Sequence, residues 1–283
     1  MNVHKFSSLA RPLDKHNSSN RLIAILILIS IPAGFFYKII SISVVGSLIW
    51  SFSLALTIFI TWALARELDP DHEQAAFWPV FLVILGHVRF NIPDFFQLFL
   101  LLVLFRITNR VVGPSPKWPD SLIVLLLAGY LAFNQNWILG LISAFILFID
   151  SRLTDGIKRH LFLSILLLLV VLAAIYFNNV VVFQQQYSLP LSLIAIVGTL
   201  LYTAFISGYG NPSSKQDITE NQLDQVRLKV AQAAALITVL SYFILKGNSG
   251  FKDLYPLWSV VLALPIAFYF NRLVPGKQKP QKN

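Results

Sequence analysis

The sequence predicts an all-α fold, a polytopic integral membrane bundle of about ten transmembrane helices with both ends in the cytoplasm. Three observations predict it. Hydrophobic residues make up 56% of the chain and charged residues only 12%, about half the charged share of a soluble domain. Mean hydropathy is +0.69, so the apolar side chains, 23 phenylalanines among them, need bilayer hydrocarbon as their solvent. The basic residues fall between the apolar runs and alternate in density from one loop to the next, as the positive-inside rule requires.

The elements follow in order. Residues 1–21 form a polar tail carrying Lys5, Arg11, Lys15 and Arg21. The run Leu22–Tyr37 lacks the small-x-small exit of a cleaved signal and reads as a retained first span. A helix needs about 20 residues to cross roughly 30 Å of hydrocarbon. Spans are expected at 22–38, 42–65, 74–92, 94–111, 119–136, 137–152, 160–182, 189–207, 229–246 and 255–272. Residues 22–272 are thus one transmembrane domain, followed by a basic cytoplasmic tail, 273–283. The spans at 42–65 and 160–182 are the clearest. The middle four have strictly apolar cores of only 11 to 13 residues, so a re-entrant reading stays open for them.

Pro32, Pro79 and Pro265 fall inside spans, where proline kinks a helix; Pro93, Pro119, Pro190 and Pro256 fall near starts, where it costs little. The longest loop runs from Gly208 to Lys229. Thr219 and Gln222 are spaced as a capping box there, and Leu223, Val226 and Val230 share a face leading into the ninth span. Ten spans divide as five plus five, and halves with an odd number of spans are inverted. Gly113, Ser115, Lys117 and Pro119 before the fifth span match Gly247, Ser249, Lys252 and Pro256 before the tenth.

With the N-terminus inside, this layout puts 18 of the 22 Lys and Arg residues inside and leaves only Lys38, Arg89, Lys246 and Lys252 outside. Eleven of the 13 acids fall on the inner side as well. That face therefore carries most of the ionisable chemistry. The net charge of +9 and pI of 9.8 are the sum of these loops and do not indicate nucleic acid. The lipid bilayer is the partner the sequence names, and a plasma membrane, the inner one in a bacterium, is the expected location. The chain has no cysteine, which excludes disulfides, thiolate metal sites and Cys nucleophiles.

The densest polar segment is Arg66-Glu67-Leu68-Asp69-Pro70-Asp71-His72-Glu73, between the second and third spans. Carboxylates grouped like this can hold Mg²⁺, bind a cation or pass protons. Equally, Asp69 suits an N-cap, Pro70 the first helical position, and Asp71 and Glu73 the positive helix end. A second set, Asp150, Arg152, Asp155, Lys158, Arg159 and His160, lies on the same face, and its basic half can bind phosphate. A third is Arg106, Asn109, Arg110, Lys117 and Asp120. Arg106 and Arg110 are one helical turn apart and can clamp an anionic headgroup or snorkel. The candidate site is therefore Arg66, Glu67, Asp69, Asp71, His72, Glu73, Arg106, Arg110, Asp150, Asp155 and Arg159, with Asp69, Asp71, Glu73 and Asp155 as metal ligands and Mg²⁺ as the candidate ion.

On the outer side His87, Arg89, Asn91 and Asp94 surround one turn, where Arg89 can pair with Asp94. Asn134-Gln135-Asn136, Asn178-Asn179 and Gln184-Gln185-Gln186 read as helix ends and loops, with Asn178 and Asn179 best placed to face a cavity. No acid, Lys or Arg falls mid-span, and the chain has no P-loop, His-Glu-x-x-His helix or Gly-x-Ser-x-Gly elbow.

Two function classes compete. The first is a membrane-embedded enzyme acting on a lipid-linked or phosphorylated substrate, with a metal held by acids of the 2–3 and 6–7 loops. The placement of those acids is similar to that in UbiA-type prenyltransferases, which carry aspartate-rich motifs in the same two loops. Asp69, Asp71 and Glu73 alternate, however, and Asp150 and Asp155 are five apart, whereas that family uses four-residue spacing. The second is a secondary transporter of a small solute. Its size and layout resemble drug/metabolite transporters, and the empty midplane argues against proton coupling through a buried acid. A non-catalytic membrane component is the third reading.

Overall fold

The structure, a computed structural model, describes residues 17–177 and 185–273. Both expected tails beyond Asn17 and Leu273, together with Asn178, Asn179 and Gln184, lie outside the described residues. In chain order the α-helices are α1 (Ser18–Lys38), α2 (Val44–Leu68), α3 (Phe77–Arg89), α4 (Phe95–Asn109), α5 (Trp118–Leu131), α6 (Trp137–Asp150), α7 (Lys158–Phe177), α8 (Leu189–Gly208), α9 (Gln225–Lys246), α10 (Asn248–Asp253) and α11 (Tyr255–Leu273). A 3₁₀ turn, Glu73–Ala76, precedes α3, and a π-helical turn, Ala132–Asn136, joins α5 to α6.

The ten-span expectation is corrected. Among the described residues six helices are long and apolar enough to cross a membrane: α1, α2, α7, α8, α9 and α11. The middle four expected spans are helices of 13, 15, 14 and 14 residues. At 1.5 Å per residue they reach only about 20 Å, short of roughly 30 Å of hydrocarbon. Polar ends cut them. Asp94 caps α4 by accepting from the amides of Phe96 and Gln97. Arg110 ends α4 in a left-handed conformation at φ 53°. Asp120 opens α5 by accepting from the backbone amide of Lys117 at 2.9 Å. The protein is a multi-pass helical membrane protein, and its lipid-facing surface is the row of exposed Leu, Ile, Val and Phe along the outer helices.

Within that surface the helices satisfy their own polar groups, as hydrocarbon demands. Along α2, Ser47 and Ser51 donate back to the carbonyls of Ser43 and Ser47, and Thr57 donates to that of Ser53. Small residues let α1 approach α2: a Cβ at Gly34 would lie 3.0 Å from Ser51 Cβ. Pro32 and Pro265 stand inside α1 and α11. Pro79 does not interrupt a span, because α3 starts at Phe77 and places it in the first turn, where no helical hydrogen bond is lost. The Thr219–Gln222 box is also displaced. Asp224 is the cap of α9, accepting from the amides of Val226 and Arg227, and Gln222 instead bridges to Lys215.

Candidate functional site

The ends of α2, α4, α6 and α8 and the starts of α3, α5, α7 and α9 meet at one end of the bundle, tied by side chains. The densest knot is at Asp150, the last residue of α6 and fully buried. One carboxylate oxygen accepts from Arg227 Nη1 at 2.8 Å and the other from His160 Nδ1 at 2.7 Å. Arg110 Nη2 stands 3.9 Å away. Arg227 also donates to the carbonyls of Thr108 (3.2 Å) and Thr154 (2.5 Å), and Arg110 to that of Asp155 (2.8 Å). His160 Nε2 lies 2.8 Å from Ser121 Oγ, and Arg159 Nε lies 3.3 Å from the same oxygen. Arg159 also donates to the carbonyl of Pro116, and its guanidinium lies over the Trp118 ring.

Buried charge at this knot is unbalanced, while the less buried carboxylates of Asp155 and Asp224 also act on Arg110. Two buried guanidiniums, Arg110 and Arg227, face one buried carboxylate, and Arg110 Nε is buried without a hydrogen-bond partner. Burial first, and then the like charge of Arg227, push the Arg110 guanidinium below its ordinary pKa. Removing such cations from water costs several kcal/mol each, so the knot is a place where added negative charge is favourable. The loop 151–157 closes over it. Its carbonyls occupy the guanidinium donors, Asp155 is left-handed at φ 55°, and a Cβ at Gly156 would come within 2.7 Å of the carbonyls of Asp150, Leu153 and Ser151.

The Arg66–Glu73 segment does not form a single cluster. Glu67, fully buried, accepts from Arg106 Nε at 2.9 Å and Asn109 Nδ2 at 3.1 Å. Asp69 accepts from His72 Nδ1 at 2.9 Å and Tyr209 Oη at 2.9 Å. Asp71 accepts from the amides of Ser213 (3.0 Å) and Ser214 (2.8 Å). Glu73 pairs with Arg66 at 2.7 Å and accepts from Asn17 Nδ2. Four acids thus turn to four different neighbours, and Asp155 belongs to the other knot. Among the described residues no group of three or more His, Asp or Glu side chains is gathered to hold a metal ion, so Asp69, Asp71, Glu73 and Asp155 do not converge on one. Nor do Arg106 and Arg110 act as a pair. Arg110 lies past the helix end, and its left-handed backbone points it at the 151–157 loop while Arg106 meets Glu67.

Two of these groups titrate away from their usual ranges. The Asp69 hydrogen bond raises His72 and outweighs the burial that opposes it. Burial works to raise Asp71, yet the hydrogen bonds from Ser214 and Ser213 outweigh it and hold that carboxyl below its usual range. At the opposite end of the bundle His87 is a buried bridge rather than an interfacial residue. Its Nε2 meets Ser53 Oγ at 3.1 Å and its Nδ1 meets Tyr255 Oη at 2.8 Å.

Sequence reasoning counted Arg227 only as a loop charge and passed over Ser121. Arg227 carried a signal: it sits in the first turn of α9, where a cation opposes the positive end of the helix dipole. An outside partner such as Asp150 offsets that. Comparison with known proteins finds no family model, no curated protein and no solved structure that matches this chain. The fold and site together define a multi-pass helical membrane protein with a buried charged cluster centred on Asp150.

Proposed function

We propose that the charged end of the bundle binds the phosphate group of a lipid-linked or phosphorylated substrate, with Arg110 and Arg227 as the anion ligands. The observation that carries this reading is the imbalance at Asp150: two buried guanidiniums share one carboxylate, and Arg110 Nε has no hydrogen-bond partner. Guanidinium groups present paired donors that match phosphate oxygens. Apart from Asp150, which already holds Arg227, the acceptors on them are the neutral carbonyls of Thr108, Thr154 and Asp155, and charge-assisted bonds are about twice as strong. A phosphate can therefore displace the loop carbonyls and gain free energy. A groove of about 300 Å³ between α8 and α9, lined by Ala195, Ile196, Leu200, Leu240 and Phe243, lies toward the other end of the bundle, about 20 Å of helix along α9 from Arg227.

The test uses the purified full chain in a neutral detergent. Its unfolding midpoint is read against inorganic phosphate and against short-chain phosphatidate, with chloride at matched ionic strength as control. Both probes stabilise the wild type saturably, and Arg110→Gln loses the effect. Stabilisation by the lipid probe alone assigns the headgroup source. Stabilisation no greater than with chloride, or equal in Arg110→Gln, overturns the reading.

A further inference from the structure

Asp150, His160 and Ser121 lie in a line. We propose that Ser121 is a nucleophile activated by His160, and that it cleaves an acyl ester carried by a lipid at this end of the membrane. The geometry is that of a serine–base–carboxylate relay: Ser121 Oγ to His160 Nε2 is 2.8 Å and His160 Nδ1 to Asp150 Oδ2 is 2.7 Å. Three helices supply the three groups, α5, α7 and α6. A carboxylate only accepts, so Asp150 fixes the proton on His160 Nδ1 and leaves Nε2 to accept. Arg159 donates from Nε into a lone pair of the same hydroxyl. The Ser121 proton then points to the closer of its two acceptors, His160 Nε2 at 2.8 Å rather than the Lys117 carbonyl at 3.3 Å.

A second serine–histidine contact among the described residues shows what a purely structural pair looks like. Ser53 meets His87, but its hydroxyl donates to the Trp50 carbonyl at 2.7 Å, and the far ring nitrogen meets the Tyr255 hydroxyl, not a carboxylate. At Ser121 both features are reversed.

Ser121 and His160 are buried. Arg159 lies against the Ser121 hydroxyl, half-buried, with its guanidinium over the exposed indole of Trp118. Swinging Arg159 off the Pro116 carbonyl uncovers the hydroxyl and leaves a guanidinium beside it to meet the developing oxyanion. In the reaction Ser121 Oγ bonds to the ester carbonyl carbon as the carbon–oxygen bond to the alcohol breaks. The hydroxyl proton passes to His160 Nε2 and on to the leaving alkoxide. Water, deprotonated by the same nitrogen, then cleaves the acyl-serine, releasing a carboxylic acid and restoring Ser121. This proposal shares Asp150 with the phosphate reading but needs no anion bound at Arg110, so the Ser121 adduct and the phosphate titration fail separately.

The experiment treats the full chain in detergent with a fluorophosphonate probe and locates the adduct by peptide mass spectrometry. The expected result is an adduct on Ser121, forming at least about a hundredfold more slowly in His160→Gln, and no adduct on Ser53, whose hydroxyl donates to the Trp50 carbonyl. No adduct on Ser121 in the wild type overturns the proposal, as does an unchanged rate in a His160→Gln protein that still elutes as the wild type does. Because the first readout needs no variant, loss of fold cannot hide a negative answer.

Discussion

Replacing Asp150 with Asn tests the charged knot hardest. The substitution keeps the shape of the side chain and removes its charge, leaving Arg227 and Arg110 facing each other without a buried counter-ion. A unit ion pair at about 4 Å and an effective dielectric near 20 is worth about 4 kcal/mol. Stranding one buried partner typically costs about 3–5 kcal/mol. Each kcal/mol lowers the unfolding midpoint of a chain this long by roughly 2–4 °C, so Asp150→Asn should fall roughly 10 °C below wild type. The assay is tryptophan fluorescence during a thermal ramp at fixed scan rate, since membrane proteins often unfold irreversibly. A second arm removes the stranded cation: Asp150→Leu with Arg227→Met should recover part of the loss, because an apolar pair of similar volume replaces a buried ion pair at little cost. An Asp150→Asn midpoint within about 2 °C of wild type would refute the reasoning.

Other outcomes follow from the same end of the bundle. His72 titrates above its ordinary value because of Asp69, so its contribution is fully present below about pH 6.5 and is lost as pH rises through the folded pKa; His72→Gln should flatten that part of the stability–pH curve. Asp71 titrates below its usual range, so its contribution is present above about pH 4 and disappears as pH falls through the folded pKa; Asp71→Asn should lower the neutral plateau and make the acid limb shallower. Gly156→Ala pushes a methyl within 2.7 Å of three carbonyls and should cost about 1–3 kcal/mol, read as a lower midpoint than the wild type.

The membrane-embedded helical character was legible in the sequence because it rests on composition and on long apolar runs, which need no tertiary information. The number of spans was not. The runs at 74–92, 94–111, 119–136 and 137–152 are apolar enough in total, but Asp94, the left-handed Arg110, Asp120 and the 132–136 π-turn bound α4 and α5, and the 3₁₀ turn Glu73–Ala76 delays α3. Hydropathy does not register where a cap falls. The candidate site was legible as a list of charges and not as partners. Asp150 and His160 stood in one proposed set, and the structure does pair them. Their link to Arg227, 77 residues on, depends on how α6 meets α9, which no local pattern encodes. The Arg66–Glu73 run misled in the opposite direction. Neighbours in sequence looked like one site, yet alternate residues leaving a helix end point different ways, and Glu67, Asp69, Asp71 and Glu73 reach α4, α8, the 213–214 backbone and α1.

The proposed anion site is formed by the buried arginines around Asp150. Calorimetric titration of the full chain with inorganic phosphate at constant ionic strength measures it directly. One saturable site per chain is predicted, weakened about tenfold or more in Arg110→Gln, where a charge-assisted hydrogen bond is lost, and unchanged in Ser121→Ala. Absence of saturable binding, or equal binding in Arg110→Gln, contradicts it.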